Sequence, residues 1–169
     1  MGYQNETADI GCRVAGTAGF VKSAGGTLAL HRPMFLTGGV WVGAGRLSLL
    51  EDATLGDNDV FVAAGAKLRI TRGDAFGTDA RLDLENRDWI STASRLELEN
   101  AEPALVRRLY VNGENLHRGY YGSSEAEAAM ADLASTGFPA FVDDRLFSGP
   151  GVLKVTGDDL LQPALMILR

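Results

Sequence analysis

Gly25-Gly26-Thr27-Leu28-Ala29-Leu30 returns as Ala44-Gly45-Arg46-Leu47-Ser48-Leu49, and again as Gly65-Ala66-Lys67-Leu68-Arg69-Ile70. A phrase recurring at roughly twenty residues marks a repeat architecture, in which one turn of chain is too thin to bury its own apolar face and stacks on its neighbours. The residues ahead of each phrase repeat as well. Gly19-Phe20-Val21-Lys22 leads into Leu28 and Leu30, Gly39-Val40-Trp41-Val42 into Leu47 and Leu49, and Asp59-Val60-Phe61-Val62 into Leu68 and Ile70. Each unit reads as an apolar strand, a small-residue turn and a Leu-x-Leu strand whose alternation puts both apolar side chains on one face. The turns Ser23-Ala24-Gly25, Gly43-Ala44-Gly45 and Ala63-Ala64-Gly65 permit left-handed backbone and close approach between units.

Further along, the spacing shortens to about fourteen residues. Asp79-Ala80-Arg81-Leu82-Asp83-Leu84-Glu85-Asn86 recurs as Ala93-Ser94-Arg95-Leu96-Glu97-Leu98-Glu99-Asn100, then Leu109 and Val111 follow, and Leu153 and Val155 end the series. Stacked in register, Leu28, Leu47, Leu68, Leu82, Leu96 and Leu109 are expected to form one inward column, each unit advancing the stack by about 4.8 Å. The same stacking places Arg81, Asp83 and Glu85 beside Arg95, Glu97 and Glu99, a row of outward acids offset by the arginines, and lays Asn86 on Asn100 as an amide ladder. One helix is legible, Ser124 to Ala134, with a Ser N-cap, acids in its first turn, and Gly137 and Pro139 beyond its end. It interrupts the last repeat, as an insertion or part of an end cap. The apolar tail Leu160-Leu161-Gln162-Pro163-Ala164-Leu165-Met166-Ile167-Leu168 suits a segment folded over an open end, or a short added strand.

These phrases resemble the autotransporter-associated beta-strand repeat family, whose pattern is a Lys-x-Gly-x-Gly-Thr-Leu-x-Leu phrase followed by a Gly-rich stretch and another Gly-x-Leu-x-Leu. Lys22 to Leu30 matches the first phrase and Ala44 to Leu49 the second. Leu109-Tyr110-Val111-Asn112-Gly113, Gly119-Tyr120-Tyr121-Gly122 and Phe147-Ser148-Gly149-Pro150-Gly151-Val152-Leu153-Lys154-Val155 resemble the segment that ends such arrays, with Tyr120 and Pro150 where relatives carry threonine. The resemblance covers residues 17–155. It implies a right-handed parallel β-helix acting as a passive stalk or adhesin-like scaffold in a bacterial secreted or cell-surface protein. The chain is too short to hold a translocator barrel as well, so a whole autotransporter is not expected.

Composition narrows the classes. The 169 residues suffice for one domain with a sizeable core, and 46% hydrophobic beside 22% charged residues describes a globular chain. A net charge of −6 opposes nucleic acid and anionic membrane surfaces as partners, because both require a basic patch. No apolar run is long enough to span a bilayer, so no membrane insertion is expected. Gly2 to Arg13 is polar and offers no h-region of a secretory leader. The chain is therefore expected to be either cytoplasmic or a piece of a longer secreted protein, and the early start of the repeats favours the piece.

The expected fold is all-β: a right-handed parallel β-helix with a C-terminal cap containing one short helix. Residues 1–16 form a lead-in, 17–122 the repeats, and 123–169 a helical insertion, last strand and cap. The expected function is structural, as a spacer or adhesin-like scaffold whose partners are other domains of the parent chain. The alternative is a carbohydrate-binding module, or an accessory domain of a polysaccharide-acting enzyme. Trp41 and Phe61 hold equivalent places between inward valines and should point outward; with Trp89 they are the candidate ligand-binding residues, able to stack on sugars. Arg95, Glu97 and Tyr110 are the nearest set to a lyase-like site. No cofactor and no metal site is expected. Asp57-Asn58-Asp59, Asp143-Asp144 and Asp158-Asp159 read as turns because no loop supplies the remaining cation ligands. His31 and His117 lie in no metal-ligand spacing. The lone Cys12 reads as a small buried or merely tolerated residue.

Overall fold

The structure is a computed structural model that describes residues 6–86 and 94–157. The Leu-x-Leu phrases do pair with one another. Thr7–Ile10, Thr27–Leu30, Arg46–Leu49, Lys67–Ile70, Arg95–Leu98 and Phe147–Ser148 form a six-stranded, wholly parallel sheet. The valine phrases form a second sheet, in which Phe20–Lys22, Val40–Val42, Val60–Val62, Arg81–Leu84 and Arg108–Val111 run parallel and Glu114–Asn115 turns back antiparallel. Between these two sheets each pass of the chain crosses a third side. There Val14–Gly16 pairs with Met34–Leu36, the Met34 amide donates to Thr54 O at 2.9 Å, and the Leu55 amide donates to Ala75 O at 2.8 Å. Among the described residues the fold is thus all-β, built largely of parallel sheets, with one short helix.

Parallel pairing in this register lays like on like. Leu28, Leu47, Leu68, Leu96 and Phe147 stack along the first sheet, while Phe20, Val40, Val60, Leu82 and Leu109 stack along the second. Both columns feed one apolar cluster, with Leu47, Leu68, Leu82, Leu96 and Leu109 sealed from solvent. Removing this surface from water is the main stabilising contribution, since the strands are too short to persist alone.

The single leucine column expected from sequence is therefore two columns. Arg81–Leu84 carries a Leu-x-Leu phrase yet pairs with Val60–Val62, so the fourteen-residue spacing separates two sides of one pass rather than two passes. Leu82 and Leu96 consequently belong to different sheets that share one core. The series does not end in Leu153 and Val155 either. Phe147 takes the place after Leu96, and Leu153–Val155 joins Ala104–Val106, Gly119–Gly122 and Ala140–Val142 in a four-stranded mixed sheet. The amide ladder is absent: the Asn86 amide donates to Asn112 Oδ1, while buried Asn100 donates to the carbonyls of Glu102 and Val152. Residues 7–16, read as lead-in, supply two strands of the first pass.

The helical residues are Ser124–Ala134, as read, with the cap one residue before them. Ser123 is that cap, accepting from the Glu125 amide; a 3-10 turn covers Ser124–Ala126 and the α-helix runs Glu127–Ala134. Met130 and Ala126 pack with Tyr120 and Val152 in a separate small cluster at the C-terminal end. The apolar tail and Asp158-Asp159 lie outside the described residues.

Glycine is required where passes touch. Gly45 has φ +67°, and a Cβ there would sit 2.3 Å from Gly26 O. At the corner before Val40, a Cβ on Gly38 would meet Gly19 N at 2.3 Å.

Candidate functional site

In the second sheet, residues two apart share a face, so the register writes two outward columns. One runs Val21, Trp41, Phe61, Asp83, Tyr110. The other, one residue ahead of each inward position, runs Gly19, Gly39, Asp59, Arg81, Arg108. The early passes therefore set glycine backbone beside aromatic side chains, and the later passes set charge beside charge. The result is a trench of about 380 Å³ lined by Gly19, Gly39, Trp41, Asp59, Phe61, Arg81 and Asp83, among others.

Trp41 points outward as expected, 49% exposed between the sealed Val40 and Val42. Its ring stacks on Phe61 with centroids 4.0 Å apart and planes tilted by 31°. Phe61 covers one face of the indole. Val21, in register with Trp41 on the neighbouring strand, is itself 65% exposed. At the far end of the trench Arg81 Nη2 holds Asp83 Oδ2 at 3.0 Å, and its guanidinium lies 4.0 Å from the Tyr110 ring centre. A cation over an aromatic face and a carboxylate in its fork fix the arginine in one orientation. Trp89 lies outside the described residues.

The other sequence candidates do not converge. Arg95 and Glu97 belong to the first sheet and Tyr110 to the second, so the lyase-like set is not one site. Glu97 is held by Arg46 at 2.9 Å and Lys67 at 3.4 Å, from two preceding passes. The acids around Asp83 and Glu97 do not stack, because the two strands are in different sheets. Among the described residues no group of three His, Cys, Asp or Glu side chains could hold a metal ion. Asp57-Asn58-Asp59 is a turn: Asn58 donates to Leu55 O and Asp57 Oδ1 accepts from the Asp79 amide. Cys12 is exposed.

Two features escaped the sequence reading. Lys22 stands in register with Val42, at an inward position, and is buried. Its ammonium donates to the carbonyls of Ala24, Gly25 and Ala44, closing the turn on the next pass, and burial pushes its pKa below the ordinary lysine value. Its inward place was readable from the Phe20-Val21-Lys22 and Val40-Trp41-Val42 alignment. His31 bridges Asp9 on its Nε2 side and Glu51 on its Nδ1 side, both at 3.0 Å, tying three successive passes. No helix among the described residues is long and apolar enough to cross a membrane. Set against protein-family models, curated proteins and solved structures, the chain matches none of them.

Proposed function

We propose that this chain is a right-handed parallel β-helix module, a structural spacer or adhesin-like scaffold within a larger bacterial secreted or cell-surface protein, akin to the autotransporter-associated repeats. The observation that carries the reading is the parallel register of successive passes around one core, maintained across five strands of each main sheet. Such a stack transmits length and stiffness through backbone hydrogen bonds and needs no chemistry at its surface. Its partners are other domains of the parent chain. Solution scattering tests it: duplicating the repeat Arg32–Asp52 should lengthen the particle by about one strand spacing, 4.8 Å, with its cross-section unchanged. A rounder particle of constant length would reject the spacer.

A second reading, carbohydrate binding, is favoured by one observation, the half-exposed Trp41 beside a glycine-floored trench. Aromatic rings with a few fixed polar groups are the common composition of small-ligand sites.

A further inference from the structure

We infer that the trench of the second sheet takes an uncharged oligosaccharide, lying across the strands with one end against the exposed part of the Trp41 ring and the other against Asp59 and the Arg81–Asp83 pair. This deepens the carbohydrate reading and rests on it. The floor and wall set the ligand's shape. Gly19 and Gly39 contribute backbone where later passes carry side chains, so a ligand can lie against the sheet itself. From Gly19 to Arg81 the trench crosses three strand spacings, about 14 Å. A linear chain of a few sugar rings spans that distance, and a single ring does not.

The charges set its class. The charged residues lining the trench are Asp59, Arg81 and Asp83, with Arg81 already held by Asp83 and Tyr110, and Asp59 also borders Arg107 and Arg108 on its far side. A uronate or sulfated sugar would bring its anions to a trench whose lining arginine is already paired with Asp83, on a protein of net charge −6. Hydroxyl groups meet no such opposition. The two carboxylates accept hydrogen bonds from them, and the apolar faces of pyranose rings pack on the indole.

Titrations of the whole chain, followed by tryptophan fluorescence, test this with cellohexaose, mannohexaose, N-acetylchitohexaose and a galacturonic acid hexamer as probes. Saturable binding of at least one uncharged hexamer, insensitive to added salt, is expected, with no response to the galacturonate. Trp41→Ala should weaken binding at least tenfold and Asp59→Asn several-fold. Both side chains are exposed, and unchanged circular dichroism would confirm that the variants fold. Binding of the galacturonate alone overturns the inference while sparing the carbohydrate reading. No saturable response to any probe overturns both, and binding unaffected by both substitutions removes the trench as the site.

Discussion

The two ends of the stack are made from the same strands and finished differently. At the N-terminal end the passes return after roughly twenty residues with short corners, and Val21, Phe35 and Trp41 stand out in solvent. At the C-terminal end the chain leaves the repeat after Arg108–Val111, and segments on either side of Phe147 build a mixed sheet and a helix that bury Tyr120, Met130 and Val152. Repetition fixes register, but a repeating sequence cannot close its own ends. The first pass is therefore less completely buried than the passes that follow it, and the sequence that breaks the pattern buries a small cluster of its own. The N-terminal edge strands Thr7–Ile10, Val14–Gly16 and Phe20–Lys22 keep one side unpaired among the described residues, the feature that natural sheets usually blunt or cover.

The largest expected effect comes from probing one column at its middle and near its open end. Leu68 and Leu28 stand in the same column, but Leu68 is sealed and Leu28 is only partly buried. Leu68→Ala should cost about 2–5 kcal/mol, the transfer of the side chain plus an unrelaxed cavity. Leu28→Ala should cost less than half as much, because solvent already reaches it and the first pass can settle into the space. Denaturant midpoints measured on the two variants give the comparison. Equal losses would mean that the first pass is as firmly packed as the centre.

That contrast also marks what the sequence disclosed. The first three units aligned phrase by phrase, so the outward place of Trp41 and Phe61 and the inward place of Leu47 and Leu68 followed from alternation alone. Arg81-Leu82-Asp83-Leu84 defeated the reading because its pattern suits either sheet. Leucine at alternate positions states which face is buried, not which side of the pass the strand occupies; that is decided by the length of the Thr71–Ala80 connection, which completes the third side before Arg81 begins. Phe147 was hidden for a similar reason, since no Leu-x-Leu phrase accompanies it. The trench was half legible: the aromatic wall lay in the repeat, but its polar end came from Arg81 and Asp83, the strand whose sheet was misassigned.

Glycines sharpen the comparison at smaller scale. Gly25 and Gly45 occupy turns of similar sequence, yet a Cβ on Gly25 would meet nothing within 4 Å, while one on Gly45 would strike the backbone of the preceding pass in a left-handed conformation. Gly45→Ala should destabilise by about 1–3 kcal/mol, and Gly25→Ala should stay within about 0.5 kcal/mol of the parent. Thermal unfolding of the pair separates contact between passes from the general flexibility of a turn. A loss in Gly25→Ala equal to that in Gly45→Ala would show that the turns are limited by chain entropy instead.

The smallest effect should be confined to the open end and should depend on pH. His31 is held above its ordinary value of 6.5, first by its hydrogen bond to Asp9, then by that to Glu51. Protonated, it donates to both carboxylates at once; neutral, it has one N–H for two acceptors. A raised folded-state value means that the stabilisation is complete below the unfolded-state value and is lost as pH rises through the raised one. Asp9 and Glu51 are largely exposed, so water screens the pair and the gain stays modest. Because Asp9 belongs to the edge strand, the loss should appear as faster amide exchange in Thr7–Ile10, corrected for the intrinsic rate, with Lys67–Ile70 unaffected. His31→Gln should flatten the dependence, and Asp9→Asn should halve the number of acids that set it. Protection that changes equally in both strands would instead indicate global unfolding, since a clasp at the edge can loosen only the pass it fastens.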